Sequence, residues 1–178
     1  MSQSKAILAG SVGNALEWFD YGLYGYFAPV IASLYFPADE PLTSLMLSLA
    51  VFGAGFVMRP LGGLLFGHYA DTAGRRQALS ATVILMGLST FAVGCLPTYE
   101  QIGLWAPVWL TFFRLLQGIS TGGEWGSCMS FLAEYSTPDN RGFVVSWSQF
   151  SVAAGLLLGS AGGAVLTTVL EPEEVVSW

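Results

Sequence analysis

The sequence predicts an all-α polytopic membrane protein, and three observations predict it. Of its 178 residues 53% are hydrophobic and only 10% charged, whereas a soluble domain carries about 25% charged residues. The apolar residues gather in about five segments that reach the roughly 20 residues a bilayer-crossing helix needs. The basic residues between those segments all fall on one side if the segments alternate in direction, an asymmetry that a soluble helical protein has no reason to show.

The first segment covers approximately residues 11–36. It follows MSQSKAILAG, which holds one lysine and no small-residue cleavage site, so an uncleaved span is expected rather than a signal peptide. "FPADEP" closes it with two prolines and two acids. The second segment, 42–68, runs into "HYADTAGRR"; the third, 77–96, into "LPTYEQ"; the fourth, 105–133, into "EYSTPDNRG". Each break carries the proline, glycine or asparagine that ends helices. The fifth segment, 142–170, precedes the acidic tail "EPEEVVSW". Lys5, Arg75, Arg76 and Arg141 share one side, and Asp39, Glu40, Glu100 and the tail acids the other. The positive-inside rule then places the amino terminus in the cytoplasm.

Other classes find little support. Only Arg75 and Arg76 are adjacent among the six basic residues, so no basic patch exists for a nucleic acid. His68 has no second ligand nearby, and no metal is expected. Cys95 falls near the outer end of the third segment and Cys128 toward the inner end of the fourth, too far apart for a disulfide. No nucleophile–base pair, HExxH or phosphate loop points to an enzyme.

Five ionisable residues lie inside segments: Glu17 and Asp20 in the first, Arg59 in the second, Arg114 and Glu124 in the fourth. Each costs roughly 2.5–3.5 kcal/mol at a helix centre, so each is expected to face protein or water. Arg114, Gln117, Thr121, Glu124 and Cys128 step by three and four along one helical stripe, as do Asn14, Glu17, Tyr21 and Tyr24, with Asp20 on their flank. Gly118, Gly122 and Gly126, and again Gly155, Gly159 and Gly163, form rows at which a neighbouring helix can approach closely. Arg59 is expected to neutralise one of the carboxylates Glu17, Asp20 and Glu124, leaving another to carry a proton.

In the loop after the second segment, Gly67 is expected to allow close packing, Asp71 to cap a helix or hold an arginine, and Gly74 to take a left-handed turn beside Arg75 and Arg76. The spacing Gly67-x3-Asp71-x2-Gly74-Arg75-Arg76 resembles the signature loop of the major facilitator superfamily. "NALEWFDYGLYGYFAPVIASLYFP", "RPLGGLLFGHYADTAGRR", "FRLLQGISTGGEWG" and "FLAEYSTPDNRGFVVSWSQF" resemble its metabolite:proton symporter branch, over nearly the whole chain. Thr72 departs from the basic residue common at its position.

The resemblance implies a partial amino-terminal bundle of a twelve-helix carrier in two halves, with the Gly67–Arg76 loop in a cytoplasmic gate. It places Arg114, Gln117 and Gly118 on the family's fourth-helix motif and Arg114, Gln117, Tyr21 and Tyr24 among candidates for substrate contact. The activity it implies is uptake of a small polar metabolite, an organic acid or osmolyte, in a bacterial inner membrane. The proton is the coupling ion, no other cofactor is expected, and the carboxyl-terminal half of the carrier is the missing partner. The alternative is a truncated membrane protein that acts only in helix assembly.

Overall fold

The computed structural model describes residues 3–170. These form seven helices: α1 (Gln3–Tyr35), α2 (Pro41–Val57), α3 (Arg59–Ala73), α4 (Arg75–Gly94), α5 (Tyr99–Ile102), α6 (Trp105–Glu134) and α7 (Arg141–Val169). No strand occurs among the described residues. The tail acids Glu171, Glu173 and Glu174 lie outside them, as does the side chain of Lys5.

Three stretches, Pro41–Ala73, Arg75–Gly94 and Arg141–Val169, are long and apolar enough to cross a membrane. Helices α1 and α6 have 33 and 30 residues. At 1.5 Å per residue each exceeds the roughly 30 Å of a hydrocarbon core. They are less apolar because they carry Glu17, Asp20, Arg114 and Glu124.

The expected second segment is interrupted. Met58 separates α2 from α3, and the cause is Pro60, which lacks an N–H and whose ring crowds the carbonyl of residue 56. The Met58 amide turns to Gly55 O at 3.2 Å, and the ladder resumes with Gly62 N donating to Met58 O at 3.0 Å. The short helix α5 is an addition to the sequence expectation, set between Thr98 and Gly103, whose φ is +60°.

Two close pairings organise the bundle. Helix α1 lies mainly on α7, and α6 lies on α3 and α4. Along the first seam Gly155, Gly159 and Gly163 face Ala15, Phe19 and Tyr26, with no room for a β-carbon. Along the second, Gly118 abuts the backbone of Gly55, Gly122 that of Arg59, and Gly62 that of Ile119. Gly126 does not belong to that row: it is exposed and nothing lies within 4 Å of where its β-carbon would stand.

At one end Arg75 Nε meets Glu134 Oε1 at 2.6 Å, joining the start of α4 to the end of α6. Arg76 and Arg141 lie exposed at the same end. At the other end Tyr35 donates to Leu96 O at 2.9 Å, bringing the loop with Asp39 and Glu40 beside the one leading to Glu100. The basic and acidic loops thus occupy opposite ends of the bundle.

Candidate functional site

Helices α1 and α6 run antiparallel with their polar stripes facing each other. Cys128 Sγ lies 3.1 Å from Gly10 O, and the Glu124 carboxylate rests against Gly13, where a β-carbon would strike it. Tyr21 donates to Thr121 Oγ1 at 3.2 Å, and Arg114 Nη1 meets Asp20 Oδ2 at 2.6 Å. Rising on α1 therefore means descending on α6, and the three-and-four spacing keeps each stripe on a single face. Asn14 turns instead to α7, donating to Ser148 O at 2.7 Å and Ser151 Oγ at 2.8 Å.

Arg59 reaches Glu17 Oε1 at 3.3 Å. Its place follows from the Pro60 break, which starts α3 at Arg59, three residues beyond Phe56. The guanidinium carbon lies 4.3 Å from the centre of the Phe56 ring and 5.2 Å from that of Tyr21. Arg114 lies deeper, its guanidinium 3.9 Å from the Tyr24 ring centre, with its side chain 5% exposed against 26% for Arg59.

The charge arithmetic is uneven. Glu17 and Asp20 each have an arginine, whereas neither oxygen of the buried Glu124 has a hydrogen-bond partner among the described residues. Glu124 and Asp20 line a cavity of about 330 Å³ between α1, α4 and α6, together with Gly13, Val83, Met86 and Thr90. Glu17 lines a different cavity of about 290 Å³, with Trp18, Arg59, Trp125, Gln149 and Val152.

The four residues expected to contact substrate also bond to neighbouring helices, while Arg114 Nε and Gln117 Oε1 have no hydrogen-bond partner among the described residues. Arg114 is spent on Asp20, the Tyr24 hydroxyl on Ser48 O at 3.0 Å, Tyr21 on Thr121, and Gln117 Nε2 on Thr90 Oγ1 at 2.8 Å. In this conformation all four join neighbouring helices, and two of their partners, Asp20 and Thr90, line the cavity between α1, α4 and α6. Sequence periodicity had marked the buried face without showing what would fill it.

In the loop, Gly74 has φ +100° and joins α3 to α4. Asp71 caps neither helix and lies exposed inside α3, because α3 continues past it to Ala73. Gly67 meets nothing within 4 Å, so it serves no close packing in this bundle. Thr72 donates back to His68 O at 3.0 Å.

With this geometry in place, comparison with known proteins is decisive at the level of family. The model of the family "Sugar (and other) transporter" matches residues 6–173. The chain belongs to this family. It is 42% identical over 174 residues to the proline/betaine transporter of Salmonella typhimurium strain LT2, covering 98% of this chain and 35% of that protein. It is 44% identical over 173 residues to the citrate-proton symporter of Klebsiella pneumoniae, covering 97% of this chain and 39% of that protein. A putative proline/betaine transporter of Staphylococcus aureus strain COL is 41% identical over 175 residues, covering 98% of this chain and 38% of that protein. The chain thus spans well under half the length of these relatives. No solved structure matches it significantly.

Proposed function

We propose that this chain is the amino-terminal part of a proton-coupled symporter that takes up a small polar metabolite by alternating access, and that it does not transport alone. The relatives are named for a zwitterion class and for a carboxylic acid, and both are small, charged metabolites. The basic end of the bundle supports an amino terminus in the cytoplasm, and the bacterial relatives support the inner membrane.

The observation that carries this reading is the unequal charge count: three buried carboxylates face two arginines, and Glu124 is left over. An isolated carboxylate in apolar surroundings costs several kcal/mol, and a bound proton removes that charge without any rearrangement of the two ion pairs. The neutral and ionised forms of Glu124 therefore favour different packings of the carrier, one dry around α1 and α6 and one wet. A ligand couples to a conformational change only through such a difference. Asp20 beside Arg114 and Glu17 beside Arg59 then serve as charge-balanced supports.

The test is uptake into vesicles holding the complete carrier. Glu124→Gln should abolish accumulation driven by a proton gradient while exchange of labelled for unlabelled substrate persists, because substrate binding and rocking remain possible. Arg59→Gln should impair both. Undiminished gradient-driven accumulation by Glu124→Gln would overturn the assignment.

A further inference from the structure

We propose that Trp18, Tyr21 and Phe56 form an ammonium subsite for a zwitterionic substrate, and that Arg59 fills it in this conformation as the substrate's stand-in. The inference rests on the symporter reading and names the class of substrate it would carry. Three ring centres surround the Arg59 guanidinium carbon, at 4.3 Å for Phe56, 5.2 Å for Tyr21 and 5.9 Å for Trp18. All are within the roughly 6 Å over which an aromatic face attracts a cation. The rings brace one another: Tyr21 stacks on Phe56 at 5.3 Å and meets Trp18 edge-on at 5.6 Å. Phe52 supports Tyr21 and Phe56 from behind at 5.5 and 5.3 Å. Their faces are thus held in place whichever cation lies against them.

Arg59 is the weakly held member of the two arginines. Its single ion-pair contact is 3.3 Å long and its side chain is 26% exposed. Arg114, by contrast, is sealed in at 2.6 Å from Asp20. Beside Arg59 opens the cavity of about 290 Å³ lined by Glu17, Trp18 and Trp125, with Tyr21 and Phe56 outside its lining and against the guanidinium. Its volume is just under the usual range of small-ligand pockets.

A substrate that carries both an ammonium and a carboxylate satisfies this site by exchange. Its ammonium takes the rings and Glu17; the displaced guanidinium, on its long flexible stem, turns to the carboxylate of the same molecule. One buried cation replaces another, and no charge is stranded. A simple anion entering here meets Glu17 and three negative ring faces, all of which repel it. A simple cation displaces Arg59 and leaves it without a counter-charge.

The experiment compares proton-driven uptake of glycine betaine, proline and citrate by vesicles holding the complete carrier. Competition by tert-butylacetate, the carbon isostere of betaine, tests the positive charge itself. Betaine or proline should accumulate, and tert-butylacetate should compete at least about tenfold more weakly than betaine. Phe56→Leu should raise the half-saturating betaine concentration about three- to tenfold, and Phe56→Trp should restore it. Arg59→Gln should tighten binding of tetramethylammonium while weakening that of betaine, an opposition that mere structural damage does not produce. Equal competition by tert-butylacetate, or uptake of citrate without betaine or proline, would overturn the subsite and leave symport standing. Accumulation of none of these under a proton gradient would overturn the symport reading and the subsite with it.

Discussion

Replacing Gly122 by alanine should loosen the bundle, and its neighbour Gly126 supplies the control. An added β-carbon at Gly122 would stand 2.7 Å from the Cα and carbonyl carbon of Arg59, and closer still to its oxygen. Carbon atoms rest about 3.5–4.0 Å apart, so α3 must retreat from α6 by about 1 Å. The obstacle is backbone, which cannot rotate away as a side chain would. Overpacking of this kind costs about 1–3 kcal/mol. The retreat also draws Arg59 from Glu17, a pair already 3.3 Å apart, so the loss should fall toward the upper end of that range. At Gly126 nothing lies within 4 Å, and alanine there gains up to about 1 kcal/mol of helix propensity. Reversible unfolding of the two variants in detergent should therefore move in opposite directions. Equal stability of Gly122→Ala and Gly126→Ala would refute the close crossing of α3 and α6.

Three further outcomes are expected. Asp20→Asn leaves Arg114, 5% exposed, without its counter-charge; it should cost about 3–5 kcal/mol, and the Asp20→Asn/Arg114→Gln double variant should recover part of that in the same unfolding assay. Glu134→Gln should cost less than about 1 kcal/mol, because Arg75 and Glu134 are both roughly half exposed and solvent screens them; added salt should narrow the difference from the parent further. Gly74→Ala forces a β-carbon into φ +100° and should cost about 1–3 kcal/mol, read as earlier melting.

The helices themselves were legible because apolar runs of membrane length have few alternatives. Their faces were legible too: the residues that step by three and four on α1 and α6 are the buried polar ones. Partnership was harder to read. Periodicity in one helix shows which side turns inward but not which neighbour lies there, so the pairing of Arg114 with Asp20 was not legible. The same reasoning extended the glycine row of α6 one turn too far, to Gly126. Gly13, Gly55 and Gly62, which meet Glu124, Arg114 and Ile119, carry no such signal because none belongs to a fourfold-spaced glycine row. The break at Met58 did have a local signal, Pro60, masked by the apolar residues on both sides. The aromatic cluster around Arg59 depends on that break, which sets the arginine back over Phe56, and no count of residue types predicts it.

The glycine seams have a mechanical consequence. Where main chain rests directly on main chain, as between Gly118 and Gly55 or Gly159 and Phe19, no deformable layer of side chains remains to absorb sliding. These helices can shift only together, like the shaft of a lever. Any large movement is thereby passed to the outer surfaces of the unit, where the exposed rings of Phe56 and Trp125 stand ready to slide against whatever covers them.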